Sequence, residues 1–220
     1  MTPHTPPASP AYVETIRFSS DRFHLLPYHQ QRLDRTLEET GIDTPIDLSH
    51  ILGSHIEGIR DLIDKTETTT VKCRVVYSGR IESVEYHPYT PRQIRSLKIV
   101  ECDDIDYHLK SLDRTVLSRL HDARGEADEV IISKGGLITD TSYSNLIFCN
   151  GETFLTPETP LLKGVMRQWL IDNGLVRTYP LTEKDILPGN SLGISSVILI
   201  NAMLPPHVIP PVPITDIIPS

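Results

Sequence analysis

Apolar and polar residues alternate along the first part of the chain and then change to a helical spacing. Residues 12–26 contain two short segments rich in β-branched and aromatic side chains on either side of a turn-like Ser-Ser-Asp, which predicts a β-hairpin. A helix is predicted over residues 28–40, because Pro27 suits a first helical turn and Gly41 a helix end. Apolar residues spaced three and four apart over residues 46–63 predict a second helix.

Strand patterns dominate the next stretch. Residues 69–77 and 80–86 predict a second hairpin, and residues 96–101 predict a further strand. This part of the chain therefore predicts an α+β half with a mostly antiparallel sheet. We expect a small N-terminal α+β domain over residues 12–103, preceded by a proline-rich arm over residues 1–11.

The rest of the chain predicts a separate domain over residues 104–220. Its predicted elements are helices over residues 111–124 and 164–173, strands over 129–133 and 197–201, and a hairpin over 144–156 with a type I′ turn at Asn150-Gly151. The unbroken apolar run of the last strand implies burial on both faces. The proline-rich tail that follows is expected to be an irregular edge.

The composition restricts the class of function. A chain of 220 residues that is 39% hydrophobic can bury a substantial core. A formal net charge of -8 argues against a nucleic-acid or anionic membrane partner, because phosphate binding needs clustered lysine and arginine. No apolar run approaches the roughly 20 residues that span a bilayer, and residues 1–10 contain no basic and apolar leader. We therefore expect a cytoplasmic protein that binds a small soluble molecule.

Cysteine and histidine patterns predict neither a disulfide framework nor a metal site. Cys73, Cys102 and Cys149 are odd in number and widely separated, so we expect reduced thiols in strands. The histidines include no H-E-x-x-H pair, and His50 and His55 do not share a helix face well enough to hold a metal.

Three short stretches carry side chains that suit a chemical role: residues 107–114 (YHLKSLDR), 138–146 (ITDTSYSNL) and 161–167 (LLKGVMR). In the first, Lys110 lies between leucines just before a predicted helix. Partial burial there lowers the pKa of an amine, and only a neutral amine attacks a carbonyl carbon. Taken alone, however, this pattern fits a solvated surface lysine better.

The other two stretches suit a cofactor with a pyridine ring and a phosphate. Asp140 at a strand end could hold a protonated ring nitrogen, although, taken alone, an Asx-type turn explains it better. Gly164 leads into a helix whose first backbone amides and dipole suit a phosphate, but every helix has such a start. Neither stretch decides the function by itself.

In their order and spacing, the three stretches resemble those of the class IV (fold-type IV) pyridoxal-phosphate enzymes, and the resemblance covers residues 13–212. That family includes branched-chain aminotransferase, D-amino-acid aminotransferase and aminodeoxychorismate lyase. The resemblance implies pyridoxal 5′-phosphate as cofactor, an α+β fold of two small α/β domains with the active site in the cleft between them, and a homodimer. It also implies that Lys110 is the Schiff-base lysine and that Asp140 holds the ring nitrogen, where the family usually has a glutamate one methylene longer.

The resemblance implies further cofactor contacts. Arg32, in the helical sequence Gln-Arg-Leu, matches the arginine that binds the cofactor phosphate, and its planar fork suits phosphate oxygens. The family's phosphate-binding turn falls on residues 164–167 (GVMR), with the backbone amides of Val165 and Met166 as donors. The full set of cofactor-binding residues implied in this way is Lys110, Arg32, Asp140, Gly164, Val165, Met166, Asn201 and Ala202.

Three details resemble the lyase more than the aminotransferases. Residues 200–204 (INAML) resemble the lyase sequence CNALM, and residues 110–114 (KSLDR) resemble KHLNR. Residues 14–17 (ETIR) resemble TTAR. This last match implies that Thr15 assists proton transfer, and it makes Arg17 a candidate for binding a substrate carboxylate.

We therefore predict a lyase that converts 4-amino-4-deoxychorismate to 4-aminobenzoate and pyruvate, with Lys110 and Thr15 as catalytic residues. The alternative is an aminotransferase for branched-chain or D-amino acids with 2-oxoglutarate, because both reactions begin by removing the same proton. A cofactor-free binding homologue is a third, less favoured reading. Relatives also begin with a strand pair and loop before the first strand matched here, so we expect part of the small domain to be trimmed.

Overall fold

The computed structural model of the chain describes residues 10–220, and all but the last two residues of the predicted arm lie outside them. Mixed helices and sheets confirm the predicted α+β class. The strands are β1 Tyr12–Ser19, β2 Arg22–Phe23, β3 Val71–Tyr77, β4 Ile81–Pro88, β5 Leu97–Glu101, β6 Glu129–Lys134, β7 Leu137–Ile138, β8 Asn145–Cys149, β9 Phe154–Pro157, β10 Arg177–Tyr179, β11 Ser196–Ile200, β12 Val212–Pro213 and β13 Ile217–Ile218. The α-helices are α1 Leu26–Glu39, α2 Leu48–Gly53, α3 Ile56–Thr66, α4 Thr115–Asp122 and α5 Val165–Asp172.

Strands β1 to β4 form an antiparallel sheet in the order β2-β1-β3-β4, so both hairpins predicted in this half are confirmed. Because side chains alternate along a strand, one face of β1 carries Tyr12, Ile16 and Phe18 and belongs to the same core as Leu33 and Leu37 of α1. The opposite face of the sheet is largely polar, and part of it lines the cavity described below.

The helix predicted over residues 46–63 is wrong as a single element. Helix α2 ends at Gly53 and α3 begins at Ile56, because glycine lowers helix stability in the middle of the apolar stripe. The stripe is nevertheless used for packing, since Leu52 and Ile59 on the two sides of the break are fully buried.

The helix predicted from residue 111 begins only at Thr115. The segment before it is extended alongside β1 instead. The backbone amide of Leu112 donates to the Ala11 carbonyl oxygen at 2.8 Å, and the amide of Val13 donates to the Lys110 carbonyl oxygen at 3.0 Å. This long-range pairing overrides the local helical pattern and ties the Lys110 segment to the N-terminal sheet.

The second half contains two sheets, in the orders β13-β5-β6-β7 and β10-β9-β8-β11-β12. Ile99, Ile131, Phe148 and Leu199 from these sheets belong to one core. Strand β5, which the sequence grouped with the first half, pairs in parallel with β6 and β13. The chain therefore leaves the N-terminal sheet between β4 and β5. This point precedes residue 103, where the sequence predicted the domain boundary.

Two smaller expectations also need correction. The tail over residues 205–213 is not irregular throughout, because its last two residues form β12, which pairs with β11. The turn between β8 and β9 is not type I′, since Gly151 has a positive φ of 90° but Asn150 does not. The Asn150 side chain instead accepts from the Thr153 amide at 2.8 Å. The strand predicted over residues 197–201 is confirmed as β11, with a partner strand on each side.

Candidate active site

A cavity of about 330 Å³ lies between the polar face of the N-terminal sheet and the loops of the second half. The first half contributes Thr15, Arg32, Lys72, Arg74 and Tyr89, and the second half contributes, among others, Tyr107, Lys110, Arg114, Asp140, Tyr143, Asn145, Gly164, Val165, Asn201 and Ala202. The three stretches singled out in the sequence therefore meet in one place. Of the predicted site residues, Arg17 and Met166 do not line this cavity.

Lys110 occupies the extended segment that is paired with β1, and its side chain lines the cavity. The preceding residue, Leu109, packs against the N-terminal core, whereas Leu112 is 40% exposed. Burial lowers the pKa of the Lys110 amine to about 7, and the positive charge of Arg32 acts in the same direction. A substantial fraction of the amine is therefore neutral and nucleophilic near neutral pH.

Arg32 reaches the cavity from α1, but most of its fork is engaged by Glu14 of β1. Its Nε donates to Glu14 Oε1 at 2.8 Å and its Nη2 donates to Glu14 Oε2 at 2.5 Å. Glu14 is fully buried, and burial opposes its charge. The Arg32 charge and the hydrogen bonds from His29 and Arg32 nevertheless lower the pKa of Glu14 to about 2. The pair therefore stays charged, and one guanidinium nitrogen, Nη1, makes no hydrogen bond within residues 10–220.

His29 completes this group and was not singled out in the sequence. Its Nδ1 lies 2.5 Å from Glu14 Oε2, and its Nε2 is buried with no partner among the described residues. Burial lowers the pKa of His29 despite the adjacent Glu14 carboxylate. One signal could have found Glu14: it is the single charged residue on the otherwise apolar face of β1 that carries Ile16 and Phe18.

Asp140 lies in the loop between β7 and β8 and is 5% exposed. Its Oδ1 accepts from Asn145 Nδ2 at 2.7 Å, and its Oδ2 accepts from the Leu162 backbone amide at 2.8 Å. Burial raises the pKa of Asp140 to about 7, and these two hydrogen bonds and the charge of Arg167 offset only part of that effect. A carboxyl group with this proton affinity can share a proton with a basic ring nitrogen.

Helix α5 begins at Val165, after Gly164 in an extended conformation, and no side chain caps it. The first backbone amides of a helix have no partner within the helix, so they are available to an anion at the cavity wall. A Cβ on Gly164 would lie 2.0 Å from Asn145 Oδ1, so any larger residue would force the Asn145 side chain or the turn to move. The Met166 side chain packs into an apolar cluster away from the cavity, which leaves only its backbone for such a contact.

The cavity wall near the end of β11 is formed by Asn201 and Ala202. The Asn201 Nδ2 group donates to Ser144 Oγ at 3.0 Å, and its Oδ1 accepts from the Met203 amide at 2.8 Å. The contact with Ser144 joins the end of β11 to the loop that carries Asp140.

The N-terminal sheet supplies cations that the sequence did not single out. Lys72 and Arg74 are alternate residues of β3, so their side chains point to the same face, and Arg74 stands opposite Thr15. Arg74 contacts Glu85 at 3.4 Å, whereas Lys72 makes no ion pair within residues 10–220. Their alternation with buried residues on β3 was the signal available in the sequence.

Arg17 lies two residues beyond Thr15 on the same face of β1. Its Nη1 donates to Ser19 Oγ at 3.3 Å, and its Nε is buried with no partner among the described residues. Burial and the charge of Arg22 lower the pKa of Arg17. The predicted contact with a substrate carboxylate stays a prediction, since Arg17 is outside the lining of the cavity.

Within residues 10–220, no group of three or more histidine, cysteine or acidic side chains is arranged to hold a metal ion. None of the helices in that range has the length and apolar character needed to cross a membrane. The three cysteines are free.

The sequence matches a known family over most of its length. The family profile described as amino-transferase class IV matches residues 11–209. An uncharacterized protein from Haemophilus influenzae is 30% identical over 190 residues, which make up 86% of this chain and 96% of that protein.

Solved structures share the fold. The crystal structure of a candidate 4-amino-4-deoxychorismate lyase from Haemophilus somnus is 32% identical, with a TM-score of 0.78 over 89% of this chain and 97% of the other. A hypothetical aminotransferase from Mycobacterium tuberculosis in a form bound to pyridoxal phosphate is 18% identical, with a TM-score of 0.74 over 99% of this chain and 87% of the other. At that identity the second likeness concerns the fold alone.

Proposed function

Because this chain belongs to the class IV aminotransferase family, whose members depend on pyridoxal phosphate, we propose that it binds pyridoxal 5′-phosphate and acts as an aminodeoxychorismate lyase. The substrate is 4-amino-4-deoxychorismate and the products are 4-aminobenzoate and pyruvate. One observation carries the proposal. The amine of Lys110, with a pKa of about 7, faces a cavity that also contains a buried carboxylate, an arginine and an uncapped helix start.

The residues around the cavity fit the cofactor. Its phosphate would lie at the start of α5, where Val165 and Arg32 line the cavity and can donate through a backbone amide and a guanidinium. The family resemblance assigns the Met166 amide, Asn201 and Ala202 to the same end. Asp140 would hold the ring nitrogen. When bound, the cofactor supplies an aldehyde that carries the substrate amine and a ring that takes up electrons.

Each side chain then has a definite task. Lys110 removes the proton from the substrate carbon that bears the amine, since a group with a pKa near 7 both accepts and returns a proton at neutral pH. Asp140 keeps the ring nitrogen protonated. As the C–O bond to enolpyruvate breaks, the Thr15 hydroxyl, opposite Arg74 on the neighbouring strand, would relay the proton that Lys110 has removed to the departing oxygen. Glu14 keeps Arg32 in place at the phosphate end.

The charge on the substrate side favours the lyase. Aminodeoxychorismate carries two carboxylates, and Lys72 and Arg74 bring two positive charges to the cavity wall formed by β3. A branched-chain amino acid has one carboxylate and an apolar side chain, so it uses only one of these two cations, of which Arg74 also contacts Glu85 at 3.4 Å. The alternative, an aminotransferase, keeps some support because 2-oxoglutarate is also a dicarboxylate.

A competition between substrates tests the proposal. Purified protein loaded with pyridoxal phosphate is offered aminodeoxychorismate, and 4-aminobenzoate and pyruvate are quantified. The same preparation is offered branched-chain and D-amino acids with 2-oxoglutarate. We expect equal amounts of the two lyase products and none in the variant Lys110→Ala. Turnover confined to the amino-acid mixtures would replace the lyase by the aminotransferase.

A non-catalytic homologue is separated by a measurement on the protein alone. Covalently held cofactor has a visible absorbance that borohydride removes, and we expect this signal in the wild type and its loss in Lys110→Ala. We also propose a homodimer, as the family resemblance implies, and a cytoplasmic location. Sedimentation of the purified protein and fractionation of cells test these two points.

A further inference from the structure

The side chain of Asn145 connects the Asp140 carboxylate with the segment that leads into α5. Asn145 is the first residue of β8 and is 5% exposed. Its Nδ2 group donates to Asp140 Oδ1 at 2.7 Å and to the Leu162 carbonyl oxygen at 2.9 Å. Because the Leu162 carbonyl oxygen can only accept, the orientation of the amide is fixed, and both of its hydrogens are used.

The backbone of Leu162 closes this arrangement. Its amide donates to Asp140 Oδ2 at 2.8 Å, so Asp140, Asn145 and Leu162 form a closed set of three hydrogen bonds. Leu162 precedes Gly164 by two residues, and Gly164 is the residue from which α5 starts. The position of the buried carboxylate and the position of the helix start therefore depend on each other.

The same amide also packs on the turn. A Cβ on Gly164 would lie 2.0 Å from Asn145 Oδ1, so the oxygen rests against the glycine. Asn145 is itself held by the central strands, because it pairs with Ile200 in the register of β8 and β11. A rigid part of the sheet thus sets the place of one side chain that touches the carboxylate, the loop and the turn.

We propose that Asn145 is a positioning residue that sets the distance between Asp140 and the start of α5, and thereby the fit of pyridoxal phosphate at its ring nitrogen and its phosphate together. The inference rests on the proposed function, since that cofactor is the ligand. It also explains an aspartate where the family usually has glutamate. Asn145 and the Leu162 amide hold both oxygens of the shorter side chain, so a longer one no longer matches them.

The test measures the affinity of the apoprotein for pyridoxal 5′-phosphate by equilibrium dialysis. Asn145→Ala is expected to weaken binding about tenfold or more, because it removes two hydrogen bonds, one of them to a carboxylate. Asn145→Ser keeps one donor, so its affinity for pyridoxal phosphate is expected to lie between those of the wild type and Asn145→Ala. Asp140→Glu is expected to weaken binding as well. In the double variant Asn145→Ala, Asp140→Glu, the fold-loss of cofactor affinity should be smaller than the product of the fold-losses in the two single variants.

Asn190 provides a matched control. Its amide also donates to two carbonyl oxygens, those of Leu187 and Ile194, but it lies outside the cavity. Asn190→Ala should therefore lower thermal stability without changing cofactor affinity or the absorbance spectrum of the bound cofactor. Asn145→Ala should change the thermal stability, the cofactor affinity and the absorbance spectrum.

The outcomes separate the inference from the proposed function. Equal cofactor affinity in Asn145→Ala and wild type, tighter binding by Asp140→Glu, or single losses that multiply in the double variant would each overturn the role of Asn145 while leaving a pyridoxal-phosphate enzyme. A wild-type protein that binds no pyridoxal phosphate would overturn the proposed function itself, and the inference with it.

Discussion

Replacing Glu14 by glutamine is expected to destabilise the protein strongly at neutral pH and much less in acid. The carboxylate is fully buried between Arg32 and His29, and its pKa is lowered from 4.5 to about 2. A lowering of roughly 2.5 units corresponds to about 3 kcal/mol at about 1.4 kcal/mol per unit. That agrees with the roughly 3–5 kcal/mol lost when one partner of a buried ion pair is removed.

The pH dependence follows from the direction of the shift. A carboxyl group with a lowered folded-state pKa contributes stability that is fully present above its unfolded value of 4.5 and is lost as the pH falls through about 2. Calorimetric melting of wild type and Glu14→Gln at pH 7, 5 and 3 measures this. For a chain of this size, about 3 kcal/mol corresponds to a fall in Tm of roughly 6–12 °C at pH 7, and the gap should narrow by pH 3.

A second glutamate serves as control. Glu57 pairs with Arg60 at 2.8 Å, but its side chain is 86% exposed, and exposed pairs contribute little. Glu57→Gln should therefore leave Tm nearly unchanged at every pH. If Glu14→Gln behaves like Glu57→Gln, or if its deficit stays constant down to pH 3, then the buried carboxylate does not hold Arg32 in the way described.

Three further predictions concern the cavity. Covalent capture of pyridoxal phosphate by Lys110, followed by absorbance, should accelerate between about pH 6 and 8 and then level off, because the pKa of the amine is about 7; a rise continuing to pH 10 would show an ordinary exposed lysine. Gly164→Ala should lower cofactor affinity about tenfold or more in dialysis, since its Cβ would lie 2.0 Å from an amide oxygen, whereas Gly53→Ala, with open space around it, should bind normally. Lys72→Met and Arg74→Met should each raise the KM for aminodeoxychorismate about tenfold with little change in kcat, and a fall in kcat alone would place these cations in the chemical step instead.

The three short stretches that the sequence singled out meet in the structure, although each of them taken alone fitted an ordinary structural role better. Lys110, Asp140 and Gly164 each came from a separate stretch, and all three line one cavity. Amphipathic spacing and turn residues were enough to predict both hairpins of the N-terminal sheet and the buried strand β11. These features depend on neighbours within a few positions, which is the range over which pattern is informative.

The parts that were missed depend on contacts far apart in the chain. Strand β5 looks like any short apolar strand, and only its pairing with β6 and β13 assigns it to the second half. The partner of Glu14 is 18 residues away, so its ion pair with Arg32 has no local signal beyond a charge on an apolar face. By sequence pattern, Lys72 and Arg74 are ordinary solvated strand residues. Only the packing of the second half of the molecule makes them part of a cavity wall.

The reactivity of Lys110 is likewise a property of the assembled fold. Its pKa depends first on burial and then on the charges of Arg32 and Glu14, which come from the other half of the chain. Its position depends on the hydrogen bond from the Val13 amide to its carbonyl oxygen. Thr15 lies two residues beyond Val13 on the same strand. The backbone contact between Val13 and Lys110 therefore holds the proposed base, Lys110, at a fixed position relative to the proposed proton relay, Thr15. The spacing between them is therefore set by backbone pairing, and side-chain changes on the outer face of β4 should leave it intact.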